Sequence, residues 1–337
     1  MEMSLPHRDD FFCRIYLAQE PIVFRNVLPV IAPDKLLGQM TRLAGERIVP
    51  VRHAGAEAEG TLFSAPAAAS GEPPIRATAA LGPMRLADFI SQLRRASTDA
   101  AGAVWCVESA SIPETLPELA SLFQFPLAEP AFLFAGSPRL WVSATSQFGP
   151  LHFDRPHNFG CLYAGTKRLT LFPPRMLPDL YVGPLDDSPV DTPMSLVDLR
   201  APDLERFPRF AAAWDDRREV ELHAGDVVYI PASWWHAVES QGTTVFVNYW
   251  WHTQPLAQLQ ACELTFFEAL RTLRRLPKYL REPYRVLFET FVFERHGDPC
   301  AHLALDQQGI GGEPTAEGDI RLERVIAALQ NRMGRDG

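Results

Sequence analysis

Two residues in the middle of the chain, His152 and Asp154, are of types that bind metal ions, and a single residue separates them. In an extended strand the side chains of residues i and i+2 leave the same face, so an imidazole and a carboxylate at this spacing converge on one point. With a third ligand from elsewhere they make the 2-His-1-carboxylate arrangement that holds a non-haem Fe(II) on one face. Short His-x-Asp matches arise by chance in many chains, so the pair alone says little. A further histidine, His236, stands far downstream behind Trp234 and Trp235.

The elements that must position these residues read as short strands. Gly149-Pro150 breaks the chain just before His152, and residues 140–144 form a strand ahead of it. Residues 158–163 and 167–172 are strand-like runs joined by Ala164-Gly165-Thr166, which reads as a β-hairpin. On its second strand Lys167, Leu169 and Leu171 share one face, and Arg168, Thr170 and Phe172 the other. Arg168 is expected to be a solvated partner of a carboxylate. Residues 225–230 make a turn and a strand, Pro231 marks a bend, and 235–240 form a second strand carrying His236. A further strand at 243–251 carries Asn248 and Trp250.

Upstream, residues 1–20 read as a polar lead-in and 21–25 as the first strand. Leu36, Leu37, Met40 and Leu43 repeat at helical spacing, with Gly45 at the stop. Residues 48–52 form a short strand, and 54–83, rich in Ala, Gly, Pro and Ser, read as a mobile loop. Leu86, Phe89, Ile90 and Leu93 predict another helix, followed by a strand at 103–107. Residues 175–218 form a long excursion rich in Pro, Asp and Arg. Residues 256–276 and 284–293 are helical patterns, and a polar loop at 309–318 precedes a short C-terminal helix. Arg271, Arg274, Arg275, Lys278 and Arg281 read as a solvated helix face.

With 337 residues and 47% hydrophobic side chains the chain can bury a full core, as one large domain or a domain with an appendage. The formal net charge of −9 argues against a general binder of phosphate backbones. The first twenty residues lack an apolar run behind a basic start, and no uncharged apolar run approaches the ~20 residues that span a bilayer. A soluble, cytoplasmic protein with no membrane partner is expected. The 5 cysteines are scattered without a C-x-x-C pair and read as small buried hydrophobes.

Taken together, His152-Phe153-Asp154, Asn158-Phe159, Gly165-Thr166-Lys167-Arg168, Leu171-Phe172-Pro173-Pro174, Ser195-Leu196-Val197-Asp198, Glu205-Arg206-Phe207-Pro208, the run 225–231, Trp234-Trp235-His236 and Asn248-Tyr249-Trp250 are far more specific than any one of them. The stretch from 140 to 251 resembles the cupin-like JmjC family of Fe(II)- and 2-oxoglutarate-dependent oxygenases. Within it the nearest resemblance is to the branch of the asparaginyl hydroxylase that inhibits hypoxia-inducible factor. The resemblance implies a mainly β fold, a double-stranded β-helix or jelly-roll core with an N-terminal α/β lead-in and C-terminal helices. The implied organisation is an N-terminal segment over 1–130 completing the core, a catalytic core over 131–254, and a helical region over 255–337 that forms a homodimer in that branch.

The same resemblance assigns His152, Asp154 and His236 to the metal as catalytic ligands. It places Lys167 on the far carboxylate of 2-oxoglutarate, with Asn158, Asn248 and Trp250 around the co-substrate. Three places depart from the branch. Gly149 stands where it has a threonine and Trp105 where it has a tyrosine, with Ser143, Thr145 or Thr170 as substitutes. Pro193-Met194 stands where it has an Arg-Gln pair whose Gln binds the target amide. The implied reaction is hydroxylation of a protein, peptide or amino-acid-like substrate, consuming dioxygen and releasing succinate and CO2. Asp154, rather than a Glu, tilts the reading away from demethylation. Two alternatives stay open: a hydroxylase of a modified tRNA base, and a non-catalytic metal-binding cupin regulator.

Overall fold

The computed structural model describes residues 2–54, 63–64, 75–77, 79–96, 104–128, 134–143, 147–186, 188 and 192–333. By internal contacts the chain divides into two compact units, Met1–Pro255 and Leu256–Gly337.

In the first unit the strands follow in the order β1 (Ile22–Phe24), β2 (Ile48–Ala54), β3 (Ala80–Arg85), β4 (Val104–Ser111), β5 (Arg139–Ser143), β6 (Gln147–Phe153), β7 (His157–Phe172), β8 (Arg218–His223), β9 (Val227–Ile230) and β10 (Trp235–His252). Helix α1 (Pro33–Ala44) lies between β1 and β2, and α2 (Leu86–Ala96) between β3 and β4. Both are amphipathic as the spacing predicts: Leu36, Leu37, Met40, Phe89, Ile90 and Leu93 are buried, while Leu43 is exposed. The fold is mainly β with a jelly-roll core.

That core turns on β7 and β10, which pair antiparallel from His157↔Trp251 to Phe172↔Trp235. Each strand runs through both halves of one continuous, folded-over sheet. The first half of β7 and the second half of β10 are flanked by β9 and β5. The second half of β7 and the first half of β10 are flanked by β8 and β6. The crossover falls where the register slips between Leu162 and Thr166. There Gly165 has φ +83°, and a Cβ on it would lie 2.3 Å from the Thr243 carbonyl oxygen, so the bend admits glycine alone.

The expected hairpin at 158–172 is therefore wrong. Gly165 bends one sixteen-residue strand instead of reversing it, and residues 235–251 likewise form one strand instead of two. Gly149-Pro150 does not break the chain either. It lies inside β6, at a register slip between Gly149 and His152. The polar lead-in contains Phe11, which is 1% exposed and packs edge-on to Tyr229 and against Phe159. Of the loop expected at 54–83, residues 80–83 belong to β3, paired with β2, and short strands at 63–64 and 76–77 pair with each other. Ala54 ends β2, Ile75 and Ala79 are buried, and the rest of that stretch lies outside the described residues.

Odd and even positions on β7 part company. Phe159, Cys161 and Tyr163 join a core shared with α1 and α2, whereas Asn158 faces a cavity enclosed by the roll.

The second unit holds α3 (Leu256–Thr272), α4 (Lys278–Phe291) and α5 (Ala316–Met333). The last spans 18 residues, longer than the sequence pattern suggests. These helices carry large apolar side chains in the open, among them Phe266, Phe267, Leu287 and Phe291. No helix among the described residues is long and apolar enough to cross a membrane.

Candidate metal centre and cavity

β6 and β10 place His152 opposite His236 as direct partners, and Asp154 follows just past the end of β6. Candidate ligand atoms of His152, Asp154 and His236 all lie within 4.8 Å of one another. His152 Nε2 is 3.8 Å from Asp154 Oδ1, and His236 Nε2 is 3.7 Å from Asp154 Oδ2.

Each imidazole is oriented through its other nitrogen. His152 Nδ1 lies 2.8 Å from the Pro150 carbonyl and His236 Nδ1 lies 3.0 Å from the Trp234 carbonyl. A carbonyl only accepts, so both Nδ1 atoms donate and both Nε2 lone pairs point at the shared space. Burial, and then the neighbouring His152, push His236 down to about 4, against the opposing pull of Asp154. At neutral pH its ring is therefore uncharged and free to donate a lone pair. The carboxylate is oriented too: Trp250 donates its indole N–H to Asp154 Oδ2 at 2.8 Å. Two imidazole nitrogens and a carboxylate oxygen on one side, with open space on the other, suit a divalent metal that keeps free coordination positions.

The triad lines a cavity of about 450 Å³. Asn158 and Asn248 line it as well, the Asn248 amide donating to Asn158 Oδ1 at 2.9 Å. Lys167 reaches it from β7, 7% exposed, its ammonium 2.6 Å from Ser240 Oγ and 5.1 Å from the centre of the Phe246 ring. Burial lowers the Lys167 ammonium to about 8, with Cys106 pulling weakly the other way. All seven residues singled out from the sequence thus line one cavity. Strand parity also holds for Arg168, which is half exposed and lies 3.7 Å from Glu239.

Other expectations change. His157, five residues after His152, faces the core and stacks on Trp251 at 4.6 Å. Trp105 does not line the cavity. It stacks on His53, and its neighbour Cys106 faces inward. Among the proposed substitutes for the lost hydroxyls, Ser143 lines the cavity but is bonded to Thr244 Oγ1 at 2.8 Å. Thr170 lies on the opposite face, and Thr145 lies outside the described residues. Met194 sits beside the triad, bridged to His152 across an isolated antiparallel pair, with Ser195 N–H donating to the Leu151 carbonyl.

A model of the cupin-like domain family matches residues 8–257. The chain belongs to that family. Within the cupin-like chains the JmjC character is supported by curated relatives. The chain is 34% identical over 133 residues to the lysine-specific demethylase JMJ31 of Arabidopsis thaliana, covering 39% of this chain and 24% of that protein. It is 33% identical over 148 residues to the tRNA wybutosine-synthesizing protein 5 of Gallus gallus, covering 40% and 43%. With the HSPB1-associated protein 1 of Homo sapiens it shares 38% identity over 118 residues, covering 33% and 22%. The chain spans less than half the length of these relatives.

Among the residues of this cupin-like cavity that escape a reading by motif are Ser240, Gln147 and Trp141. Ser240 was accessible through parity, since His236, Val238 and Ser240 leave one face of β10. Gln147 was not, because it stands five positions before His152, which on a straight strand puts the two on opposite faces. Only the register slip inside β6 turns both inward.

Proposed function

We propose that the chain is an Fe(II)- and 2-oxoglutarate-dependent dioxygenase that hydroxylates a protein, peptide or amino-acid-like substrate. The observation that carries this reading is the pairing, within one cavity, of a two-histidine, one-carboxylate set with a buried lysine that has no acidic partner among the described residues. A buried ammonium without a counter-charge is costly, and an anionic ligand relieves that cost.

In this reading His152, Asp154 and His236 hold the iron. With 2-oxoglutarate and dioxygen, the bound metal supplies oxidation of a substrate C–H to C–OH, one oxygen atom entering the hydroxyl and the other succinate as CO2 leaves. The chain's own residues orient and exclude. Trp250 fixes the carboxylate, Lys167 holds the far end of the oxo acid, and the apolar walls formed by Leu169, Ile230 and Phe246 keep water from the reacting centre. Asn158 and Asn248, bonded to each other, present the remaining amide hydrogens toward the co-substrate.

Met194 supports a target other than an asparaginyl side chain. Its thioether cannot donate to an amide and accepts only weakly, and it packs with Phe63, Ile75 and Ala79 in an apolar wall. The names of two relatives point to a methylated lysine and to a tRNA base as the substrates of those proteins. A homodimer through the apolar side chains of α3 and α4 and a cytoplasmic location belong to the same reading. Succinate release that requires both iron and 2-oxoglutarate tests it. A purified chain that binds iron yet never consumes 2-oxoglutarate, with any candidate substrate, returns it to the class of binding cupins.

A further inference from the structure

Strand β6 pairs with β10 along one edge, and along the other edge it meets the segment around Met194. Ser195 N–H donates to the Leu151 carbonyl at 2.8 Å, Thr192 Oγ1 donates to the Phe153 carbonyl, and Gly183 N–H donates to the Met194 carbonyl at 2.8 Å. The Ser195–Leu151 bond joins residues that flank the pair, so His152 and Met194 are antiparallel partners of the non-hydrogen-bonded kind. Side chains of such a pair leave one face of the ladder and stand close, with Cα atoms about 4.5 Å and Cβ atoms about 5 Å apart. The His152 imidazole is aimed at Asp154, within the set that includes His236. The Met194 thioether therefore starts from beside the candidate metal centre, on a backbone tied down on both sides.

Met194 is 1% exposed and packs with Phe63, Ile75 and Ala79, which close it off from bulk solvent, yet it lines the cavity that holds the triad. Among the described methionines no other lines that cavity. Met40 is buried in the core on α1, and Met3 stands 38% exposed. A thioether takes an oxygen atom on a sulfur lone pair, with no C–H bond to break, and becomes a sulfoxide. The wall beside the triad thus contains an oxidisable group that solvent does not reach and the metal side does.

We propose that Met194 is a self-oxidation site: when no target occupies the cavity, the oxygen atom that would enter the target goes to the Met194 sulfur. The inference rests on the oxygenase reading above. Its step balances with the co-reactants of that reading. The O–O bond of dioxygen breaks, one atom forming the S–O bond of Met194 sulfoxide and the other entering succinate, while the C1–C2 bond of 2-oxoglutarate breaks and CO2 leaves. Thioether and oxo acid each lose two electrons, dioxygen gains four, and no proton is taken up or released. The sulfoxide then sets a polar acceptor against Phe63, Ile75 and Ala79, in a wall that was apolar, so an idle turnover changes both the packing of the wall and what it presents to a target.

The test reads where the oxygen lands. Full-length protein is incubated with Fe(II), 2-oxoglutarate, dioxygen and catalase, without any target, then digested and mapped by mass spectrometry. Metal-free protein treated with hydrogen peroxide is the comparison. A solvent oxidant follows exposure, so peroxide is expected to oxidise Met3, 38% exposed, and to spare Met194 and Met40, 1% and 0% exposed. Turnover is expected to reverse that order, placing oxygen on Met194 in most chains and on neither Met3 nor Met40. Met194→Leu, a volume-conserving swap, is expected to lose that oxygen altogether. After turnover and removal of metal, the urea midpoint of wild type should fall while that of Met194→Leu stays in place, a readout separate from activity. Succinate formed with the oxygen absent from Met194, or found on Trp250 or Met3 in its stead, overturns the inference and leaves the oxygenase reading standing. So does oxidation of Met194 by peroxide as readily as Met3. Protein that releases no succinate but binds 2-oxoglutarate in its Mn(II) form by calorimetry loses the inference alone; protein that binds none loses the oxygenase reading with it. If Met194→Leu fails to fold, the wild-type maps decide.

Discussion

The two faces of β7 and β10 each bury histidine, and the two burials have opposite meanings. On the core face, burial lowers His157 to about 4, with His252 contributing. Its Nδ1 accepts the Ala232 backbone N–H at 3.1 Å and lies 3.1 Å from the Tyr229 hydroxyl, and its ring stacks on Trp251. On the cavity face His236 is lowered to the same value, again by burial first, yet its Nδ1 donates to a carbonyl and its Nε2 is left open toward Asp154. Burial and a depressed pKa therefore do not distinguish a ligand from a structural histidine. What distinguishes them is where the free lone pair goes: His157 spends it on the chain, and His236 leaves it open toward the space shared with His152 and Asp154.

The sharpest way to break this contrast is Asp154→Ala. Removal of a direct ligand is expected to weaken metal binding by well over the ~10- to 100-fold that loss of an outer hydrogen-bond partner costs, and to abolish succinate release. The metal-free protein is expected to change in stability by less than about 1 kcal/mol, because Asp154 packs nothing into the core. Metal affinity measured by competition, beside chemical denaturation of the metal-free form, reads both arms. Retention of wild-type metal affinity would remove the triad assignment.

His157→Ala is the mirror experiment. It opens a space among Tyr16, Tyr229 and Trp251 and strips the Ala232 N–H of its acceptor, a combined cost of about 3–5 kcal/mol. The midpoint of denaturation should fall sharply, while metal affinity of the folded protein changes by less than about threefold. The pH dependence has a definite sign. A histidine held below its ordinary 6.5 in the folded state takes up protons more readily when unfolded. Stability contributed by the neutral ring is thus complete above 6.5 and is lost as pH falls from there toward about 4. His157→Ala should flatten that acid limb. A variant as stable as wild type would show that the stacking carries no weight.

How much of this contrast was legible in the sequence follows from what sets each feature. Side-chain parity along a straight strand is a local property, so the inward aim of Lys167 and the outward aim of Arg168 were readable, as was the shared face of His152 and Asp154. The helices over 33–44 and 86–96 were readable for the same reason, their apolar spacing matching the buried side. The long bent strands were not. Ala164-Gly165-Thr166 has the composition of a turn, and only the partner strand, brought from 75 to 84 residues away in sequence as Thr166↔Gln241 and Leu162↔Phe246, makes it a bend instead. Gln147 was hidden by the register slip in β6, and Phe11 by its polar neighbours. Cys106 and Trp105 differ by one position, and sequence alone could not settle which of them faces the cavity.

A smaller effect sharpens the cavity side of the comparison. Trp250→Phe keeps an aromatic ring beside the triad and removes the N–H that Asp154 Oδ2 accepts. Metal affinity is expected to fall about tenfold, within the range for outer partners of a ligand, with stability changed by about 1 kcal/mol. Electronic spectra of the Co(II)-substituted protein should shift, since the carboxylate is freed to rotate. An unchanged spectrum and affinity would show that Asp154 is held by the backbone alone.

The gentlest probe is pH acting on Lys167. Burial holds this ammonium near 8 in the free protein, so it is charged at neutrality and loses its proton within the range of ordinary buffers. If, as proposed, a dicarboxylic oxo acid binds the charged form, its dissociation constant should be level below pH 8 and rise by about tenfold per pH unit above it. Lys167→Arg, which stays charged, should remove that slope whatever it does to the affinity itself. Stability runs the other way. The folded pKa lies below the ordinary 10.5, so the protein pays for burying the charge at pH below 8 and recovers that cost between about 8 and 10.5. Lys167→Met should therefore be more stable than wild type at pH 7 in the absence of ligand while binding the diacid poorly. A lysine whose removal destabilises the ligand-free protein at pH 7 would be a structural residue, and the cavity face would then resemble the core face more than the triad indicates.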